Sequence, residues 1–152
     1  MLEGMRTLPG LLALTLLAAC AQEAGRPVTV RVVADHSART QACDGLVGAL
    51  GYVPPAGNVP LAVISASAPL GEVVEQEGEV RFGPAQAFTA SAQCLVWQDP
   101  ETHQGGMRAA SEVSVTRPPT EEEYARGLTL RVTPPTEIGE RPRLVVGPSA
   151  VR

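Results

Sequence analysis

Alternating apolar and polar residues recur along the chain from Val28 onward. Short segments in which every second residue is apolar, or which are rich in valine, are separated by glycine and proline. A two-residue period is typical of strands with one buried face, and frequent turn residues are typical of antiparallel sheets. The clearest segments are residues 28–32, 61–64, 88–96, 112–116, 128–132 and 144–146. We therefore predict an all-β domain, an antiparallel β-sandwich of immunoglobulin-like or barrel-like form.

Two segments predict local structure of other kinds. In residues 72–82, short valine-containing runs lie on either side of the Gln-Glu-Gly triplet at 76–78, and this arrangement is typical of a β-hairpin. Residues 41–50 predict a short helix, although the two glycines within this segment weaken helix formation.

One or two helical turns are predicted after Thr120. Thr120 and Glu123 have the spacing of a capping box, in which each side chain hydrogen-bonds the backbone N–H of the other residue. Acidic residues at 121–123 suit the positive end of the helix dipole, and Gly127 is a typical stop signal.

Composition narrows the class of protein. The chain has 152 residues, of which 44% are hydrophobic, 18% charged and 3% aromatic. These values fit one globular domain and exclude a coiled coil and a highly charged disordered tail. The formal net charge is −4. Nucleic-acid binding is disfavoured, because it depends on a basic excess that displaces phosphate counterions.

The N-terminus has the pattern of an export signal. A short start with Arg6 precedes the apolar residues 11–19, and Cys20 follows directly. This apolar segment is too short to span a bilayer, which needs about 20 apolar residues. The tetrapeptide Leu-Ala-Ala-Cys at 17–20 resembles the lipobox of bacterial lipoproteins. Translation from Met5 would remove Glu3 and leave the basic start that such signals have.

This resemblance implies a division of the chain into three parts. Residues 1–19 would be a signal peptide that is removed, and Cys20 would become the first residue of the mature chain. Fatty acyl chains such as palmitate would then anchor Cys20 in a membrane, since two or more chains give stable binding. Residues 20–27 would form a short lipidated tether, and residues 28–152 a single β-rich domain.

Two cysteines remain in the mature chain once Cys20 carries the lipid. Because export places the domain in an oxidising compartment, an even pair predicts a disulfide between Cys43 and Cys94. The alternative is a redox-active pair, but the sequence has no Cys-x-x-Cys spacing that would lower a thiol pKa.

The two histidines are the candidates for a metal or ligand site. His36 follows Asp35, His103 lies four residues after Asp99, and both histidines fall in predicted loops. Their separation matches none of the histidine spacings that metal sites use. We therefore expect two solvated histidines, and no metal or cofactor. A shared surface site for a small ligand or metal ion is the alternative.

Other chemically interesting residues have structural interpretations. The acidic residues at 72–79 lack the aspartate-rich pattern of a calcium loop, so we expect a solvated surface. No Gly-x-Ser-x-Gly motif is present, and we assign no catalytic residue. Trp97 is expected to fill the core, as a lone tryptophan on a strand commonly does. If it were exposed, it would be an anchor for a partner.

These observations predict a non-enzymatic lipoprotein of the cell envelope, facing the periplasm or the cell exterior. Its expected partners are the membrane, through the anchor at Cys20, and another envelope protein that contacts the β-sandwich. The alternative function is an envelope module that binds a small ligand or metal ion through the loops around His36 and His103.

Overall fold

A computed structural model describes residues 25–40, 42–53 and 62–150. These residues form eight strands and one short helix. In chain order they are β1 (Arg26–Asp35), β2 (Gly45–Tyr52), β3 (Ala62–Pro69), β4 (Val73–Phe82), β5 (Phe88–Trp97), β6 (Met107–Arg117), α1 (Glu121–Arg126), β7 (Leu128–Thr133) and β8 (Arg143–Pro148). The predicted signal peptide, Cys20 and the first part of the tether lie outside the described residues.

The strands form two four-stranded sheets that pack face to face. One sheet has the order β4-β1-β7-β8 and the other has the order β3-β2-β5-β6. Neighbouring strands are antiparallel except for β1 and β7, which run parallel. The predicted all-β sandwich is therefore confirmed.

Aliphatic side chains from both sheets fill the space between them. Val30, Val32 and Leu130 point inward from the first sheet, and Leu50 and Phe88 point inward from the second; all five are completely buried. Apart from two phenylalanines, the central cluster consists of valine, leucine and alanine. Because every second side chain of each strand points between the sheets, the apolar residues of both sheets form one continuous core.

The predicted helix at residues 41–50 is wrong, because Gly45–Tyr52 form the central strand β2. The two sheets come close together at Gly48. A Cβ atom there would lie 2.7 Å from Val132 Cγ2 and 3.1 Å from Val32 Cγ1. Gly48 therefore allows the two sheets to approach each other closely. This requirement comes from tertiary packing, so helix propensity could not reveal it.

The predicted hairpin at residues 72–82 is also wrong. The chain turns earlier, at Gly71, which has a φ of +89°. It then continues as the single strand β4, and all ten residues of β4 pair with β1, with Gly78 opposite Val30. A continuous partner strand supplies the backbone hydrogen bonds of this segment and keeps it extended.

The predicted helix after Thr120 is confirmed as α1. The Thr120 side chain accepts a hydrogen bond from the Glu123 N–H, and the Glu123 side chain accepts one from the Thr120 N–H. Gly127 ends the helix with a φ of +93°. α1 therefore crosses the end of the sandwich and delivers the chain into β7.

The sandwich has two distinct poles. The Gly25 pole is where β1 begins, and it also holds the connection from β4 to β5 and helix α1. The His36 pole is where β1 ends, and the connections β1–β2, β3–β4, β5–β6 and β7–β8 gather there. Any segment that precedes Gly25 therefore joins the domain at the pole opposite to His36.

Candidate functional site

The Cys43–Cys94 disulfide organises the His36 pole. It joins the segment before β2 to the strand β5, with the two Cα atoms 5.3 Å apart. Both cysteines are buried, and Cys94 Sγ lies 3.3 Å from the carbonyl oxygen of Ala42. The predicted pairing is therefore confirmed, and the bond fixes the long β1–β2 connection to the second sheet.

Trp97 and His103 lie together on the turn between β5 and β6. Their rings stack with centroids 4.4 Å apart and planes within 4° of parallel. Trp97 is half-buried and His103 is exposed, so this stack forms part of the surface and Trp97 does not fill the core as expected. Two residues that the sequence named as separate binding candidates are thus neighbours.

The backbone of this turn is held by Asp99. Its Oδ1 atom accepts hydrogen bonds from the N–H groups of Glu101 and Thr102, and its carbonyl oxygen accepts one from the His103 N–H. The hydrogen bonds from Thr102 and then from Glu101 lower the pKa of Asp99. These bonds hold the backbone of the turn, which places His103 beside Trp97.

Met107 is a surface residue of this pole that sequence reasoning missed. It pairs with Trp97 across β5 and β6, and paired residues of antiparallel strands point to the same side of the sheet. A Cβ atom at Gly45 would lie 3.2 Å from Met107 Sδ, so the thioether lies over Gly45. The hairpin register between residues 97 and 107 is the signal that could have found it.

His36 is not the solvated loop residue that we expected. It is completely buried, and its Nδ1 atom lies 3.0 Å from the carbonyl oxygen of Ala68. Its backbone N–H bonds the Glu72 carbonyl, and its own carbonyl accepts the Gly71 N–H. His36 therefore joins the end of β1 to the β3–β4 turn, while its Nε2 atom is buried and has no hydrogen-bond partner among the described residues.

Within the described ranges, no three side chains of histidine, cysteine, aspartate or glutamate come together as a metal site. His36 lies inside the fold and His103 lies on its surface. The hypothesis of a shared site for a small ligand or metal ion stays a prediction.

A groove of about 670 Å³ lies at the Gly25 pole. The residues that line it include Phe82, three prolines and Tyr124. Arg26 closes one side: its guanidinium carbon lies 3.8 Å from the centre of the Tyr124 ring, and its nitrogens donate to Glu121 at 2.9 and 3.1 Å. The beginning of β1 is therefore fastened to α1.

An ion pair between the buried Glu123 and the partly exposed Arg117 connects α1 to β6. Glu123 is 1% exposed and accepts hydrogen bonds from both terminal nitrogens of Arg117, at 2.5 and 2.8 Å. Burial raises the pKa of the Glu123 carboxyl, but the hydrogen bonds from Arg117 and from the Thr120 backbone outweigh this effect, so the pKa lies below its usual value. The same contact raises the pKa of Arg117.

The acidic residues of β4 form an exposed surface, as expected. Glu75 pairs with Arg31 at 2.5 Å, and Glu79 pairs with Arg81 at 3.3 Å. Half-exposed pairs of this kind contribute about 0–1 kcal/mol each to stability. The cluster is therefore a solvated strand face on which Glu75 and Glu79 pair with neighbouring arginines.

The outward faces of the two sheets differ in charge. Because successive residues of a strand point to opposite sides, the buried positions and the pairing register fix which residues point outward. On the β4-β1-β7-β8 sheet, the outward positions include eight charged residues: Arg31, Asp35, Glu75, Glu77, Glu79, Arg81, Arg131 and Arg143.

The outward face of the other sheet is nearly uncharged. Its centre consists of Val47, Ala49, Ser65, Ser67, Ser91 and Gln93. We call this outward surface of β3-β2-β5-β6 the neutral face. Glu112 is the one charged residue among the regularly paired outward positions of these strands as described.

Comparison with known proteins identifies no relative. No protein-family model, no curated protein and no solved structure matches this chain.

No helix in the described part of the chain is long and apolar enough to cross a membrane. The lipobox cysteine Cys20 lies outside the described residues, so its proposed modification stays a prediction from sequence.

Proposed function

We propose that the chain is an exported lipoprotein that is anchored in the cell envelope through Cys20 and acts by contacting another envelope protein. The lipobox-like sequence at residues 17–20 is the observation that carries this proposal. Fatty acyl chains on the first residue of the mature chain would hold the β-sandwich at a membrane surface.

The position of Gly25 supports a close attachment. Gly25 is only five residues beyond Cys20 and lies at one pole of the sandwich. Five extended residues reach about 18 Å at most. The Gly25 pole would therefore lie next to the membrane, and the His36 pole would face away from it.

The His36 pole supports contact with another protein. Trp97 stacks on His103 at the surface, and tryptophan is enriched among the residues that dominate binding at protein interfaces. Ile138, which is 82% exposed, adds an apolar side chain on the β7–β8 connection of the same pole. Both residues would face away from the membrane and toward a partner.

Substitution of Cys20 tests the anchor. We expect Cys20→Ala to abolish labelling by a fatty-acid analogue and to move most of the protein from the membrane fraction into the soluble fraction, because the acyl attachment site is lost. The matched control is Cys43→Ala/Cys94→Ala, which removes two cysteines but keeps Cys20 and should stay labelled and in the membrane.

Membrane retention of the Cys20→Ala variant, or unchanged labelling, would contradict the proposed anchor. If both variants moved into the soluble fraction, the loss of any cysteine, and not of Cys20 in particular, would explain the change. This result would also count against the proposal.

A further inference from the structure

The outward faces of the two sheets differ in charge. Sheet surfaces that stay in water usually carry charged residues, as the β4-β1-β7-β8 sheet does. Among the regularly paired positions that the structure describes, the neutral face carries one charge, on Glu112. This residue lies on the edge strand β6 and accepts a hydrogen bond from Gln93 at 3.4 Å. The centre of this face can therefore be removed from water without burying a charge.

The side chains at the centre of the neutral face are small. Valine, alanine and serine lie on the outward side of β2 and its neighbours, whereas the larger Trp97 and Met107 point outward at the His36 pole, where Met107 covers Gly45. Small side chains allow a second sheet to approach to about 10 Å, the usual distance between packed sheets. Depletion of charge is a property of the central part of protein interfaces.

We propose that the neutral face binds the neutral face of a second copy of this chain. Two such faces meet without charge repulsion, whereas a partner face like the other sheet of this protein would bury several charged residues. Four strands of about eight residues cover about 500 Å² on each copy. The total of about 1,000 Å² is at the lower limit for a specific interface, so the pairing is weak in solution.

The positions of the two poles define the symmetry of this dimer. A two-fold axis parallel to the long axis of the sandwich brings the two neutral faces together and leaves both Gly25 residues at the same end. Both tethers then reach one membrane. This orientation rests on the proposed lipid anchor, which would also raise the effective concentration of the two copies by confining them to a surface.

Cross-linking of a single introduced cysteine tests the pairing in the full-length protein in membranes. Ser91→Cys lies at the centre of the neutral face, and a bis-maleimide with a spacer of about 10 Å matches the distance between packed sheets. Val145→Cys is the control; it lies on the outward side of the opposite sheet and is 56% exposed.

We expect Ser91→Cys to give at least fivefold more cross-linked dimer than Val145→Cys, although Val145 is the more exposed position. Equal yields from both positions would overturn the proposal. Cross-linking of Ser91→Cys to a different protein, with no dimer, would overturn it as well.

A charged substitution provides a second test. Ser67 is exposed and points outward, so Ser67→Glu is compatible with folding, and formation of the Cys43–Cys94 disulfide checks this. Ser67 and Glu112 lie in one row across the sheet, and the two-fold axis brings residue 67 opposite Glu112 of the second copy. In the Ser91→Cys protein, Ser67→Glu should therefore reduce the dimer at least fivefold, because two carboxylates would face each other at the interface. An unchanged dimer yield would exclude the neutral face as the contact.

The same membrane samples separate this inference from the proposed anchor. Dimer without acyl labelling would contradict the lipoprotein proposal and leave the pairing of neutral faces in place. Acyl labelling without dimer would support the lipoprotein proposal and contradict the pairing of neutral faces.

Discussion

Replacing Cys43 and Cys94 with alanine is expected to lower the free energy of unfolding by about 4 kcal/mol. The two residues are 51 positions apart, and a cross-link that closes a loop of this length removes much conformational entropy from the unfolded chain. This loss is large against the stability of about 5–15 kcal/mol that domains usually have. Urea denaturation of the variant and the wild type measures it.

A reducing agent provides the control for this prediction. Reduction should destabilise the wild type by about the same amount and leave the Cys43→Ala/Cys94→Ala variant unchanged, because only the wild type has the bond. Equal stability of the oxidised wild type and the variant would show that the disulfide contributes nothing to folding.

Glu123→Ala is expected to cost about 2 kcal/mol of stability. The substitution removes the buried partner of an ion pair whose arginine is 30% exposed and can be partly hydrated, and it also deletes half of the capping box of α1. Glu122→Ala is the matched control: Glu122 pairs with Arg126 on the same helix, but its side chain is 58% exposed. That variant should lose less than about 0.5 kcal/mol.

The pH dependence of the Glu123→Ala effect follows from the pKa of Glu123. This pKa is lower in the folded protein than in the unfolded chain, so the carboxylate stabilises the fold above the unfolded pKa of about 4.3. The contribution disappears as the pH falls through the folded pKa. The difference in unfolding free energy between wild type and variant should therefore be constant near neutral pH and shrink below about pH 4. If the difference in unfolding free energy instead grew on acidification, the pKa of Glu123 would be raised in the folded protein, and this prediction would be wrong.

The strands were predictable where their local pattern and their tertiary position agree. Val28, Val30 and Val32 alternate with polar residues, and they point into the core as the two-residue period requires. Residues 72–82 were mispredicted because the Gln-Glu-Gly triplet favours a turn locally. Pairing of ten residues with β1 outweighs this preference, and such long-range pairing cannot be seen in a local pattern.

The surface of the His36 pole was only partly predictable. Trp97 and His103 were identified as candidates, but their stacking depends on a turn in which His103 itself has a φ of +56°. The burial of His36 arises from the β3–β4 turn, which contacts it from a distant part of the sequence. The neutral face likewise becomes visible only when the register of four strands is known.

Intact mass measurement of the native protein, purified from its own membranes, tests the central proposal most directly. We expect a chain that begins at Cys20, carries the added mass of fatty acyl chains, and has lost the two hydrogens of the Cys43–Cys94 disulfide. A polypeptide that retains its N-terminal residues, carries no acyl group and shows every thiol reactive would contradict both the anchor and the exported, oxidised domain.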